Sequence, residues 1–352
     1  MTALRRLLTA LLVVLVGAAL APTSVMSTAP SYGAPSPAAT TTPNPLAGGP
    51  WGVYSVKTDD VYGPYLKATG ANKALLGKIA LRPRVRWFGE WIPTNQVAAK
   101  IRNYITVSQH GNPNTLVQLA TFRLWPNGGE PARNKPLTAA QQNDYRAWYR
   151  AVAAAIGTSR VAVVLEPDLA MALKGWSPAT RLALTRYAAQ TLSKLPRTST
   201  YIDASDADWL KADAAASMLG SAGVAWTRGF ALGATHYWST AAQTTFAQSV
   251  SAKLAAKGIT DKHAVIDTAD NGKPFTWSQY YAKHPKGDFD NAETCRSTTD
   301  TLCDTLGHPP TWVTTDPAHV DGYLWFGRPW LTRQASPFDL ARALQVARTT
   351  AY

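Results

Sequence analysis

Hydrophobic and polar positions alternate between two periods along this chain. Short apolar runs rich in β-branched residues recur, and each is followed by a longer stretch with apolar positions at helical spacing. The runs predict strands over residues 52–56, 115–120, 161–165, 198–203, 229–233, 263–267 and 322–327. The stretches between them predict helices over 95–108, 139–156, 178–195, 206–219, 241–257 and 338–349. In the clearest helix, Tyr145, Trp148, Tyr149, Val152 and Ile156 share one face, a stripe that reads as core packing rather than a ligand box. Repeated βα units point to an α/β fold with a parallel sheet covered by helices. No internal repeat and no second domain boundary is visible after residue 50.

The N-terminus breaks this pattern. Arg5 and Arg6 precede an apolar run from Leu7 to Leu20, with Gly17, Ala18, Ala19 and Ala21 at its end. A charged start, a short apolar stretch and small residues read as a secretory signal over residues 1–34, cleaved anywhere from Ala21 to Ala34. An uncleaved anchor is the other reading, but the run is short for a membrane span. Residues 29–49 are rich in Pro, Thr, Ser, Ala and Gly, which cannot bury enough apolar surface to offset the cost of ordering. The expectation is a linker there, then one folded domain over 50–352. The protein is expected to be secreted and extracellular, monomeric, and without stable membrane insertion.

Composition narrows the class. Hydrophobic residues are 46% and charged residues 16%, which excludes a disordered or fibrous chain. Thirteen Trp and fourteen Tyr outnumber eight Phe, and their flat faces with a polar handle suit a wet groove as well as a core. The formal charge is +13, yet Lys and Arg are scattered singly, so nucleic acid is not an expected partner. Two cysteines exclude a disulfide-dense mini-fold and a cysteine zinc cage. After export, Cys295 and Cys303 lie close enough in a polar loop for one local bridge; two free thiols are the alternative.

In closed βα barrels the chemistry collects at the C-terminal ends of the strands. Here 161–165 runs into Glu166-Pro167-Asp168, and the strand at 198–203 ends on Asp203 with Asp206 close behind. The run 229–233 leads to His236, 263–267 ends on Asp267, and 322–327 leads to Arg328. Asp168, after a buried apolar strand and a proline, reads as functional, whereas Asp206 reads first as a helix N-cap. His236 reads equally as a base or as a hydrogen-bonding wall residue. No Gly-x-Ser-x-Gly elbow, phosphate loop or His-Glu-x-x-His motif is present, and Gly48-Gly49 and Gly128-Gly129 lack a strand–turn–helix frame. No cofactor or metal is expected. A carboxylic acid beside exposed indoles suits sugars: the acid protonates the leaving oxygen, and a ring stacks its C–H face on Trp.

The stretch from Val161 to Ala170, Val-Ala-Val-Val-Leu-Glu-Pro-Asp-Leu-Ala, resembles the acid-bearing strand of glycoside hydrolase family 6, the β-1,4-glucan endoglucanases and cellobiohydrolases. Arg86-Trp-Phe-Gly-Glu-Trp91 is similar to the first Trp motif of that family, and Tyr201-Ile-Asp-Ala-Ser-Asp-Ala-Asp-Trp209 resembles its Tyr-Leu-Asp-Ala-Gly-His segment. Arg228–Leu232, Val265–Gly272 and Tyr323–Pro329 match further motifs in order, so the likeness runs from about Trp51 to Ala351. The resemblance implies a distorted, incompletely closed parallel βα barrel, a TIM-barrel variant in a single domain. It also implies inverting hydrolysis of β-1,4-glucan without metal or cofactor.

Carried over position by position, the likeness makes Asp168 the general acid and Trp87 and Trp209 sugar platforms. Asp203, His236 and Arg328 become substrate contacts. The chain also departs from the family pattern. Its Arg-Asp-Cys is Arg123-Leu124-Trp125 here, and its Lys-x-Pro-Gly-Glu-Ser-Asp-Gly exit loop runs from Gly327 to Arg333 without the Lys, Glu or Asp. A cleft Asn is His236, an Arg is Asp270 and a Tyr is Gln118. If inversion occurs, a substitute base is required, with Glu90 and Asp206 as candidates. The expected function is therefore a secreted glycosidase acting on β-glucan, with a non-catalytic carbohydrate-binding descendant as the alternative.

Overall fold

The computed structural model describes residues 43–125 and 134–352. The expected signal and most of the expected linker lie outside the described residues, as does Gly128-Gly129. Two short helices, α1 (Tyr62–Lys67) and α2 (Gly70–Ala80), precede an eight-stranded sheet. Its strands are β1 (Arg86–Gly89), β2 (Val117–Phe122), β3 (Val161–Leu165), β4 (Thr198–Asp203), β5 (Gly229–Leu232), β6 (His263–Asp267), β7 (Thr311–Trp312) and β8 (Val320–Leu324). They lie in the order β1-β2-β3-β4-β5-β6-β8-β7, and every pair is parallel except β7 with β8. The crossovers are α3 (Thr94–Gln109), α4 (Ala139–Ile156), α5 (Pro178–Leu192), α6 (Ala212–Ala222) and α7 (Thr240–Ala255). A short α8 (Trp277–Lys283), a hairpin of β9 (Leu331–Thr332) and β10 (Ala335–Phe338), and a final α9 (Leu340–Thr349) complete the chain.

The first and last parallel strands approach without pairing as strands. The Val85 amide donates to the Trp325 carbonyl at 2.8 Å, and the Trp87 indole donates to the Phe326 carbonyl at 2.8 Å. Single bonds thus cross the seam, and the barrel is open.

Side-chain size explains how the barrel is filled. On β3, Val161, Val163 and Leu165 pack outward in the large helix-facing core, whereas Ala162 and Val164 face the interior. Ala120, Ala231 and Val265 take the same inward place on β2, β5 and β6. On β2, β3, β5 and β6 the inward residues are Ala or Val, as a narrow interior favours, whereas Tyr201 on β4 and Leu324 on β8 are the large strand residues of the inner cluster. On β8 both Val320 and Leu324 are buried, yet they face opposite sides. A bulge opposite Ala264 and Val265 inserts the extra residue that reverses the alternation.

Leu46 is fully buried in the inner cluster, and Arg160 donates to the carbonyls of Pro45 (3.0 Å) and Ala47 (2.6 Å). Packed chain therefore begins before residue 50, where the buried leucine and the Arg160 hydrogen bonds together hold a Pro- and Gly-rich segment against the barrel. The strand expected at 52–56 is reduced to one bridge between Trp51 and Leu116. Helix α6 starts at Ala212 rather than 206, because Asp206 instead closes a turn, accepting the Asp208 amide at 2.6 Å. The aromatic stripe of α4 is buried throughout, and a Thr138–Gln141 capping box starts the helix. Cys295 and Cys303 form a disulfide. Among the described residues, no helix is long and apolar enough to cross a membrane.

Candidate active site

The strand ends open onto one cleft of about 1350 Å³. Asp168 lines it, three residues past the end of β3, in a turn where Glu166 (φ 53°) and Asp168 (φ 67°) are both left-handed. Such backbone costs about 1–3 kcal/mol per residue and persists only where surrounding contacts hold it. Glu166 supplies those contacts. It is fully buried and accepts the hydroxyls of Tyr145 (2.8 Å) and Tyr149 (2.6 Å) and the amides of Arg123 (2.9 Å) and Leu124 (3.2 Å). One carboxylate thereby ties the exit of β2 and two turns of α4 to the exit of β3. Burial pushes its pKa up, against those donors.

Trp87 on β1 and Trp209 after β4 also line the cleft, with His236 after β5 and Arg328 after β8. The Arg328 guanidinium sits 4.3 Å from the Trp87 ring centre, and Lys174 Nζ sits 4.3 Å from that of Trp209. His236 lies between aromatic neighbours, 6.2 Å from Trp209 and 5.5 Å from Phe289, with Nδ1 3.9 Å from Asp206.

Three of the expected site residues are not on the cleft wall. Asp203 is 1% exposed and accepts the Ser205 amide at 3.2 Å; burial, then the charge of Asp168, push it well above the usual carboxylate range. It lies near Asp168 but off the cleft wall. Asp206, a candidate base, is likewise buried, bound to Gln243, and raised chiefly by burial. Glu90 does not line the cleft, and its carbonyl accepts Arg123 at 2.7 Å. Sequence reasoning put these carboxyls at strand ends correctly, but their burial decides what they touch. The Leu124 side chain is in the core, so no acid is offered from that position.

The cleft also holds Trp91 just past β1 and Asp208 after Asp206, and residues that the strand-end rule does not reach: Tyr54, Asp60, Lys174, Trp277 and Asp290. Trp91 and Trp277 are 54% and 57% exposed. Large indoles left open to water inside a cleft are the strongest compositional signal for them, given the Trp excess of the chain.

Beneath the cleft, buried acids brace the loops. Asp267 accepts the amides of Thr235 (3.2 Å), Ala269 (3.0 Å), Phe326 (3.3 Å) and Gly327 (2.5 Å), which joins the exits of β5, β6 and β8. Asp270 accepts Gln334 at 2.7 Å and so anchors the β9–β10 hairpin. A Cβ on Gly327 would fall 1.7 Å from Asp270 Oδ2, so only glycine fits beside that carboxyl. Asp304 pairs with Arg342 at 2.9 Å. Burial pushes Asp267 and Asp304 up to about 7, and burial with the charge of Asp304 lifts Asp270 well above the usual carboxylate range.

These shifts predict a pH dependence of stability. Unfolded carboxyls lose their protons near pH ~4. The folded chain retains them until about 7. Stability is therefore fully present below the unfolded value and declines as pH rises through the folded one. Asp59 and Asp321 are shifted down despite burial, by Arg84 and by His263 with Arg228 respectively, and they lose their contribution only in strong acid. The melting temperature should be higher at pH 5 than at pH 8; a rise over that interval would refute the assignment.

Residues 54–330, well over half of the chain, match the sequence profile described as glycosyl hydrolases family 6. The chain belongs to that family. Endoglucanase A of Cellulomonas fimi is 31% identical over 222 residues, covering 63% of this chain and 47% of the relative. Endoglucanase 1 of Streptomyces halstedii is 30% identical over 207 residues, covering 58% of this chain and 63% of the relative. The chain thus spans about half to under two thirds of these relatives' length. The endoglucanase Cel6 of Mycobacterium tuberculosis, solved with methyl-cellobiosyl-4-deoxy-4-thio-β-D-cellobioside, superposes with a TM-score of 0.71 at 28% identity, covering 87% of this chain and 99% of that one. Family 6 membership and the open barrel agree with the expectations from the sequence motifs.

Proposed function

We propose that this family 6 chain is a secreted β-1,4-glucan hydrolase with Asp168 as its general acid. The observation that carries the reading is a left-handed Asp at the exit of a buried strand, facing a cleft lined by Trp87, Trp91, Trp209 and Trp277. Export is supported by the pattern from Arg5 to Ala21. In this reading Asp168 gives its proton to the glycosidic oxygen as the bond to the anomeric carbon breaks. Water attacks that carbon from the opposite face and inverts it.

The base must be a cleft carboxylate. Asp59 is committed to Arg84 at 2.8 Å, and Asp208 accepts the Trp277 amide. Asp60 and Asp290 remain on the cleft; of the two, Asp60 shares the field of Arg328 with Asp168, which supports it as the water-activating group. A second reading, a glycan-binding protein without hydrolysis, is favoured by the core position of Leu124 and by Glu90 and Asp206 standing off the wall. Reducing-sugar release from a panel of β-glucans separates the two. Release that falls in Asp60→Asn supports the hydrolase; binding of oligosaccharides with no release on any glucan supports the binder.

Stacking can be tested separately. Lys174 occupies one face of Trp209, so a sugar would use the other. Trp209→Ala should weaken cello-oligosaccharide binding by about 1 kcal/mol, the scale of an aromatic contact, with little loss of melting temperature. Unchanged binding with a large loss of stability would make the ring a core residue.

A further inference from the structure

Two of the cleft indoles carry a cation. Arg328 lies over Trp87 and Lys174 over Trp209, each at 4.3 Å, and all four residues line the cleft. The other cleft arginines have partners: Arg84 and Arg86 share Asp59, at 2.8 and 3.4 Å, and Arg333 holds Asp288 at 2.9 Å. Among the described residues, neither Arg328 nor Lys174 has a carboxylate within ion-pair distance. Arg328 Nε is buried without a hydrogen-bond partner.

A cation can rest on an indole for the ring's own quadrupole. That does not account for a guanidinium nitrogen left buried and unbonded, which is costly unless a ligand completes it. Nor does the nearby Asp270 complete it. Its Oδ1 accepts Gln334 at 2.7 Å, and its Oδ2 is buried without a hydrogen-bond partner. Guanidinium matches a planar carboxylate through paired N–H donors, and a second cation further along the cleft matches a polymer that repeats the charge.

We propose that the cleft binds an anionic glycan, a β-linked chain bearing carboxylates at C6, with Arg328 and Lys174 reading the uronate groups beside the Trp87 and Trp209 platforms. The proposal rests on the glycan-binding reading above and narrows its substrate class. The lone cations then have a role: the carboxylate completes the donors of Arg328, while the same ring covers the free part of the indole.

The test is calorimetric binding of cellotetraose and of its fully C6-oxidised counterpart at fixed physiological salt. The wild-type chain should bind the oxidised tetramer about tenfold more tightly, the scale of a charge-assisted hydrogen bond. Arg328→Gln and Lys174→Gln should each pull the ratio towards one. Lys174 is exposed, so its variant is expected to fold even if Arg328→Gln is not. Lys257→Gln, exposed beyond the far end of α7, controls for overall charge and should leave the ratio unchanged. Equal or tighter binding of the neutral tetramer overturns the proposal alone. So does a preference that survives both cleft variants, or one that Lys257→Gln removes equally. Binding of neither tetramer overturns the glycan reading and the proposal together.

Discussion

Asp168→Asn should lower hydrolysis of a soluble β-glucan by about 10²–10⁴-fold, the usual contribution of a positioned acid. The amide is nearly isosteric, so the left-handed turn and the Glu166 contacts should persist and melting should change little. Asparagine also tolerates a positive φ better than most residues. The loss should fall in kcat, because the proton is needed only as the leaving oxygen develops charge. Substrates with activated leaving groups need less protonation and should lose less. Hydrolysis that survives the substitution on an unactivated glucan would remove Asp168 from the acid role. A uniform rise in KM with unchanged kcat would make it a binding residue instead.

The legible parts of the fold are those whose burial repeats along the chain. Strands 161–165 and 263–267 sit where their apolar runs place them, because a parallel strand covered on both faces shows a continuous apolar run; 198–203, Thr-Ser-Thr-Tyr-Ile-Asp, is marked by its β-branched residues instead. Helix 139–156 is set equally well, because its cap and its stripe agree. Strand β1 escapes as a strand because four residues with Arg86 at the start carry no alternation, although its Trp motif was visible. The run at 52–56 misleads because a β-branched segment needs an available edge, and only Trp51 finds one.

The site divides on the same physical ground. Asp168, Trp87, Trp209, His236 and Arg328 share the cleft because each follows or ends a strand and keeps its side chain above the core. Asp203, Asp206 and Asp267 occupy equivalent sequence positions, yet backbone amides and neighbouring side chains draw them under the floor. The sign of a strand-end carboxyl, wall or brace, depends on which loop amides reach it, and that is a tertiary fact. Lys174, Asp60 and Trp277 come from segments after a 3₁₀ turn, before α1 and at the start of α8, where no strand-end rule applies.

Glu166→Gln should cost about 2–4 kcal/mol of stability, the range for breaking a buried, charge-assisted network while leaving its partners in place. The carboxyl accepts two tyrosine hydroxyls at one oxygen and two backbone amides at the other. A glutamine keeps one accepting oxygen and sets an NH₂ against the remaining donors, so one pair must go unmet in either orientation. If the oxygen stays with the amides, the NH₂ donates to the Tyr145 and Tyr149 oxygens, and the two hydroxyl protons lose their acceptor. If it stays with the hydroxyls, the Arg123 and Leu124 amides are orphaned and the exit of β2 shifts. Either way the left-handed turn loses a restraint two residues before Asp168, so kcat should fall with KM little changed. Wild-type melting with wild-type kcat would show that Pro167 and the packing of β3 hold the acid without this carboxyl. Full stability with low kcat would move Glu166 from the brace into the chemistry.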